Sequence, residues 1–305
     1  MNKKEFYTTI IVFIVLATAI IVTNYIFEYL DWLLTFAIVL AGYMYFRYRL
    51  TSPMQRFVSK FNMLMDYDLE IEEAIQMALE HVENAPTKAI KGVFQLHLGM
   101  AYYNNGEYEK AIQTFNDIEL QKMNTVYHVL IFAHQAYAYN ELGNSEGFDL
   151  AIERINNVKP KIHRKFYAYA TSYERLLKAI KNLEEDPEEY KNVIEAHLSQ
   201  HNGYISQRLI YHYRMAKYYQ AIGNTQEMDI HLAKVLANGK SHFTAKEAQG
   251  MFKNSVIVDD YIFTDEDFQS EMPADDQSFT EQLEDAKDLD VFDQEPENLE
   301  KKDNK

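Results

Sequence analysis

The chain has 305 residues, a formal charge of −16, 47% hydrophobic residues, ten glycines, six prolines and no cysteine. Its length allows one or two domains. The absence of cysteine excludes disulfides, thiolate metal sites and cysteine nucleophiles, and so few helix breakers favour an all-α protein. The charge is unevenly spread: residues 256–305 hold 18 Asp and Glu against 4 Lys, while the rest hold 28 acids and 26 bases. A body this close to neutral has no surplus of positive charge to meet phosphates, which argues against a nucleic-acid partner.

Two apolar runs come first. Phe6 to Phe27 is 22 residues without a charge; as a helix it reaches about 33 Å, enough for a bilayer core of roughly 30 Å. Trp32 to Phe46 is a second uncharged run of 15 residues. Extended back through Tyr29 it approaches 27 Å, roughly a second span. The expected spans are therefore about 6–27 and 29–46, a transmembrane hairpin within residues 1–50. Tyr25, Tyr29 and Trp32 gather at one end and Tyr43, Tyr45 and Tyr48 at the other, where aromatic rings with polar tips favour the two interfaces. Lys3 and Lys4 precede the first run, and Arg47, Arg49, Arg56 and Lys60 follow the second, while the turn Glu28–Asp31 has no base. The positive-inside rule then puts both termini in the cytoplasm. Ala17-Thr18-Ala19 resembles a signal-peptide cleavage site, but Ile20, Ile21 and Val22 carry the apolar run past it, which favours the anchor. Neither run holds an Asp, Glu, Lys, Arg or His, and with no buried ionisable residue of that kind ion relay is not expected.

Pro53 suits a first helical turn and opens the next region, residues 53–252. In Leu96–Phe115, Leu98, Gly99, Tyr102 and Gly106 are followed by Tyr108, Ala111 and Phe115. Small residues let two helices approach while Leu, Tyr and Phe fill the spaces between them. Asn104-Asn105-Gly106 ends the first helix with a residue free to take φ > 0. The pattern recurs. Ala101-Tyr102 with Gly106 returns as Ala138-Tyr139 with Gly143, 37 residues on, and again as Tyr218-Tyr219 with Gly223; Ala74 lies 37 before Ala111. Between the later copies fits a degenerate unit: a helix over Arg164–Leu183, a break at Glu184–Pro187, and a helix over Glu188–Ser199. Asp186 caps that helix and Pro187 takes its first position. This gives about five helix pairs to about residue 237 and a closing helix near Thr244–Phe252.

The pattern resembles the tetratricopeptide repeat. Gln95 stands where that family usually has tryptophan, the late proline is missing, and periods of 37 to 40 exceed the usual 34 or so. The resemblance implies an α-solenoid that cannot bury its faces singly but does so when stacked. It also implies a concave face lined by the first helix of each pair: Leu96, Met100 and Tyr103, then Ala133, Tyr137 and Glu141, then Tyr213, Lys217 and Ala221. The expected partner groove comprises Met100, Tyr103, Tyr137, Tyr213, Arg214 and Lys217. Tyr and Met give contact area without demanding one geometry, although such residues also serve simply as packing between helices. The family's carboxylate clamp does not carry over, because the first-helix positions hold Leu96, Met100 and Asn104. Composition rich in Ile, Lys, Asn and Tyr resembles proteins of low-GC Gram-positive bacteria, where membrane-anchored proteins of this type occur.

No catalytic or cofactor-binding constellation stands out. His197 and His201 are four apart, but no glutamate sits between them as a zinc protease needs, so no metal, cofactor or small-molecule substrate is expected. From residue 256 an acidic, disordered tail is expected, since low hydrophobicity and like charges oppose folding. Within it, Tyr261, Ile262 and Phe263 among acids form a docking segment, for a partner or for this chain's own repeats. The resulting expectation is a membrane-anchored cytoplasmic scaffold or adaptor that holds peptide or helix segments of other proteins. The alternative is a regulatory or assembly subunit of a membrane enzyme or cell-envelope machine.

Overall fold

The computed structural model describes residues 3–27, 31–198 and 204–264, and within them every regular element is helical. The acidic stretch from residue 265 onward, His201, and Glu28, Tyr29 and Leu30 lie outside the described residues.

Helix α1, Lys3–Phe27, is apolar all round. Most of its side chains point away from the protein: Ile11 is 60% exposed and Ile26 61%. α2, Trp32–Asn62, begins at Asp31, whose carboxylate accepts the Leu33 N–H at 2.7 Å. It packs against α1 in the opposite direction. Phe13 stacks on Phe46 at 4.5 Å, and Phe6, near the start of α1, is buried in the same cluster as Leu50 and Phe57. α1 is the one described helix both long and apolar enough to cross a bilayer. The run Trp32–Phe46 is not a helix of its own. It is the first half of a 31-residue helix that runs on into charged residues.

Pro53 corrects the sequence reading, because it opens no helix; α2 passes through it. A proline forfeits one intrahelical bond and crowds the preceding turn. Here the turn is tied by side chains, with the Thr51 hydroxyl donating to Arg47 O at 3.1 Å and the Arg56 guanidinium donating to the Ser52 hydroxyl at 3.2 Å. Burial of Leu50, Phe57 and Phe61 holds both halves against the core. α2 ends in a single π-helical turn, Met63–Tyr67.

Then follow α3 (Ile71–Asn84), α4 (Lys88–Asn104), α5 (Tyr108–Asn116), α6 (Thr125–Glu141), α7 (Ser145–Val158), α8 (Tyr167–Lys181), α9 (Pro187–Leu198), α10 (Ile205–Ala221), α11 (Thr225–Asn238) and α12 (Phe243–Met251). Each packs on its neighbours in sequence. Three of the turns are built alike. Gly106, Gly143 and Gly223 take φ of +76°, +66° and +75°. After each glycine, the next N–H reaches back five residues, to Tyr102 O, Tyr139 O and Tyr219 O, each at 2.9 Å. This double reversal satisfies the carbonyls that a helix end leaves open, and only glycine enters it without strain. Asn144 and Asn224 then cap the following helices, accepting from Gly147 N and Glu227 N. Asp186 does the same for Glu189 N at α9, with Pro187 at its first position, as the sequence suggested.

Small residues mark the seams. Ala74, Ala101, Ala111, Ala133, Ala136 and Ala138 are fully buried. A Cβ on Gly99 would lie 2.4 Å from the Phe115 ring, so α4 and α5 approach as closely as they do because that side chain is absent. α4 faces two cores. Leu98 and Ala101 join the cluster around Phe57 and Phe61, while Leu96 and Tyr103 join the larger cluster that runs on to α12. The far end returns to the near end: the Ser206 hydroxyl donates to Asp66 at 2.6 Å, the Tyr67 and Tyr204 rings meet at 5.2 Å, and Lys240 pairs with Glu70 at 3.4 Å.

Candidate functional site, a tyrosine-lined interior filled by helix α12

α4, α6 and α10, each the first helix of a pair joined by one of the glycine turns, bring their inward residues to one place. Tyr103 of α4 lies 6.2 Å, ring to ring, from Tyr137 of α6. Glu141, one turn further along α6, sits at the centre. Its carboxylate pairs with Arg214 at 3.1 Å and Lys217 at 3.0 Å, and accepts the Tyr213 hydroxyl at 3.0 Å. The two cations also lie over rings: Arg214 over Tyr213 and Tyr137, and Lys217 over Tyr213 at 4.7 Å. Tyr190 of α9 closes the layer by donating to Arg214 O at 3.1 Å.

The cluster is out of water. The Glu141 side chain is 2% exposed and that of Arg214 4%, whereas Lys217 retains 23% and forms the wet edge. Burial pushes the Glu141 carboxyl up, but Arg214 and Lys217 outweigh it and hold the group below the ordinary carboxylate value. Burial pulls Lys217 down, and Glu141 offsets only part of that. Burial raises the phenols of Tyr103, Tyr137 and Tyr213 well above their usual value. All three stay neutral, so two cations face one central carboxylate.

Five of the six groove residues named from the sequence therefore meet around Glu141: Tyr103, Tyr137, Tyr213, Arg214 and Lys217. The sixth, Met100, is partly buried against the same core. They do not form an open groove, and this corrects the expectation. Tyr103, Tyr213 and Arg214 are buried, as are Leu96 and Ala133. The space in front of them is taken by α12. Phe243, fully buried, places its ring 4.7 Å from Tyr103, 5.8 Å from Tyr213 and 6.3 Å from Tyr108. Glu247 accepts the Tyr108 hydroxyl at 2.9 Å, and Lys246 donates to Asn105 O at 2.7 Å. Sequence reading missed Phe243 and Glu247. The available signal was an aromatic residue at the start of a short closing helix.

Tyr261, Ile262 and Phe263 also have a place. The chain leaves α12, makes a 3-10 turn at Val258–Tyr261 and lies along α11. The Asp229 carboxylate accepts the N–H groups of Lys253 and Ser255 at 2.9 and 2.8 Å. Asn238 donates to Tyr261 O at 3.0 Å and accepts Phe263 N–H at 2.8 Å. Phe263 packs 5.8 Å from the His212 ring with Arg208 over its face, while Ile262 points outward at 58% exposure. Residues 256–264, which the sequence reading assigned to the tail, thus belong to the folded body.

Among the described residues no group of three or more His, Asp or Glu is placed to hold a metal. His197 instead meets the Ser172 hydroxyl at 2.9 Å. No protein-family model, curated protein or solved structure matches the chain.

Proposed function

We infer that this chain is a membrane-anchored cytoplasmic scaffold or adaptor built on tetratricopeptide-like repeats. α1 and the first half of α2 serve as a two-span anchor, and the repeats hold a segment of a partner protein. The observation that carries this reading is the apolar sleeve joined to the repeats by one unbroken helix. Leu33 (79% exposed), Phe36 (66%) and Met44 (65%) of α2 stand outward beside Ile11 and Val15 of α1. A bare apolar surface of that kind is unfavourable in water and favourable in lipid. The bases Lys3, Lys4, Arg47 and Arg49 collect at the end from which the repeats grow, consistent with a cytoplasmic body. The repeated glycine turn and the small-residue seams support the stacked-repeat part. Tethering raises the local concentration of any partner in the same membrane without adding a contact.

Two experiments test the reading. Reporter fusions after Leu50 and Lys305 are expected to show cytosolic activity at both points, with the protein in the carbonate-resistant membrane fraction. Alkaline phosphatase activity at either junction, or release by carbonate, overturns the anchor. In-cell crosslinking with mass spectrometry is expected to yield a specific partner peptide mapping to the repeats.

A further inference from the structure

α12 is nine residues long, and a helix that short does not persist in water without tertiary contacts. It packs on α11 and α10, and its aromatic and hydroxyl contacts with Tyr103 and Tyr108 come from more than a hundred residues earlier in the chain. Phe243 supplies the anchor, enclosed by Tyr103, Tyr108 and Tyr213. Glu247, one turn later on the same face, takes the Tyr108 hydroxyl. The link from α11 is only Gly239 to His242, with Lys240 at φ +43°, a conformation unfavourable for a residue with a side chain. Behind the anchor lie Arg214 and Lys217 against Glu141, a balance that welcomes one more carboxylate. The seat is thus specific in chemistry: an aromatic cage, and a hydroxyl donor one helical turn away.

We propose that this seat is a recognition site for a partner helix bearing an aromatic residue and, four positions later, a carboxylate, and that α12 is its built-in competitor. The proposal rests on the scaffold reading and names its partner class. A docked helix of this kind uses anchors one turn apart on one face. Glutamate at the second position gains a charge-assisted hydrogen bond in a partly buried site.

The test uses the full-length protein in detergent and a fluorescent peptide of residues 241–251. A tethered helix acts at an effective concentration on the order of mM, so the wild-type chain masks the site and binds the peptide weakly. Phe243→Ala vacates the cage and is expected to raise the peptide's affinity roughly tenfold or more. Glu247→Ala loosens α12 without emptying the cage and gives a smaller gain of the same sign. This second variant serves if the first does not fold. A peptide lacking the phenylalanine is expected to lose the gain. No gain in either folded variant, or equal binding of the phenylalanine-free peptide, overturns the proposal. So does exclusive binding of a peptide of residues 275–290, which would make the chain's own tail the occupant. Failure to crosslink any partner in cells overturns the scaffold reading, and that result is read independently of the titration.

Discussion

Replacing Glu141 by Gln removes one negative charge and almost no volume, so it isolates the electrostatic part of the central cluster. The amide still offers an oxygen to the Tyr213 hydroxyl, now 3.0 Å from the carboxylate. What disappears is the counter-charge of Arg214, whose side chain is 4% exposed. An arginine cannot shed its proton to escape, whereas Lys217, at the wet edge, moves further below its usual pKa. Removing one partner of a buried pair leaves an uncompensated ion and costs about 3–5 kcal/mol. Urea denaturation followed by circular dichroism measures that loss. A double variant, Glu141→Leu with Arg214→Met, replaces both charges by apolar groups and is expected to recover much of it. The pH dependence has a definite sign. The folded pKa of Glu141 lies below the ordinary value, so its contribution is complete above about pH 4.3 and is lost as pH falls through the folded value. A single-variant loss below about 1 kcal/mol, the size expected of a surface pair, refutes the reasoning. So does a double variant no more stable than the single one.

Burial holds His134 and His231 down to about 4 and His242 to about 3, and keeps His212 well below its usual value. Below pH 6.5 the unfolded chain binds protons that these rings refuse, so stability is expected to fall from pH 6.5 toward pH 4, by up to about 2 kcal/mol per ring at pH 5. Asp66, raised to about 6 by burial, works in the opposite direction over part of that range, one group against four; a thermal-melt series from pH 7 to pH 4.5 with a flat profile contradicts this. Gly99→Ala drives a methyl into the Phe115 ring at 2.4 Å and is expected to lower stability by about 1–2 kcal/mol, overpacking less the helix gain. Gly250→Ala meets nothing within 4 Å and should instead gain about 0.5–1 kcal/mol; melting temperatures of the two variants should move in opposite directions. Asn238→Ala removes both hydrogen bonds to the Tyr261–Phe263 backbone, so deuterium uptake over residues 258–264 should rise while that of α6 stays constant.

Much of the helical layout was legible because it is governed by local rules. The glycine turns at 106, 143 and 223 need φ > 0, and a side-chain-free residue after a Tyr-rich helix announces them. Asp186-Pro187 announced α9 in the same way. Pro53 misled for the complementary reason. Its local preference for a first turn is weaker than the burial of Leu50, Phe57 and Phe61 on either side, so packing carried α2 through it. The grouping of Tyr103, Tyr137, Tyr213, Arg214 and Lys217 was also readable, since they lie on the helices that lead into the similar glycine turns at 106, 143 and 223.

Sequence by itself determined the helical class, the turn positions, the apolar first helix and the inward faces of α4, α6 and α10, because each depends on residues close together in the chain. Tertiary structure alone decided whether that face is empty. Phe243 meets Tyr103 across 140 positions, and Tyr108 meets Glu247 across 139. No local preference encodes such a pairing, since it exists only once the intervening helices have stacked and brought α12 back onto α4 and α5.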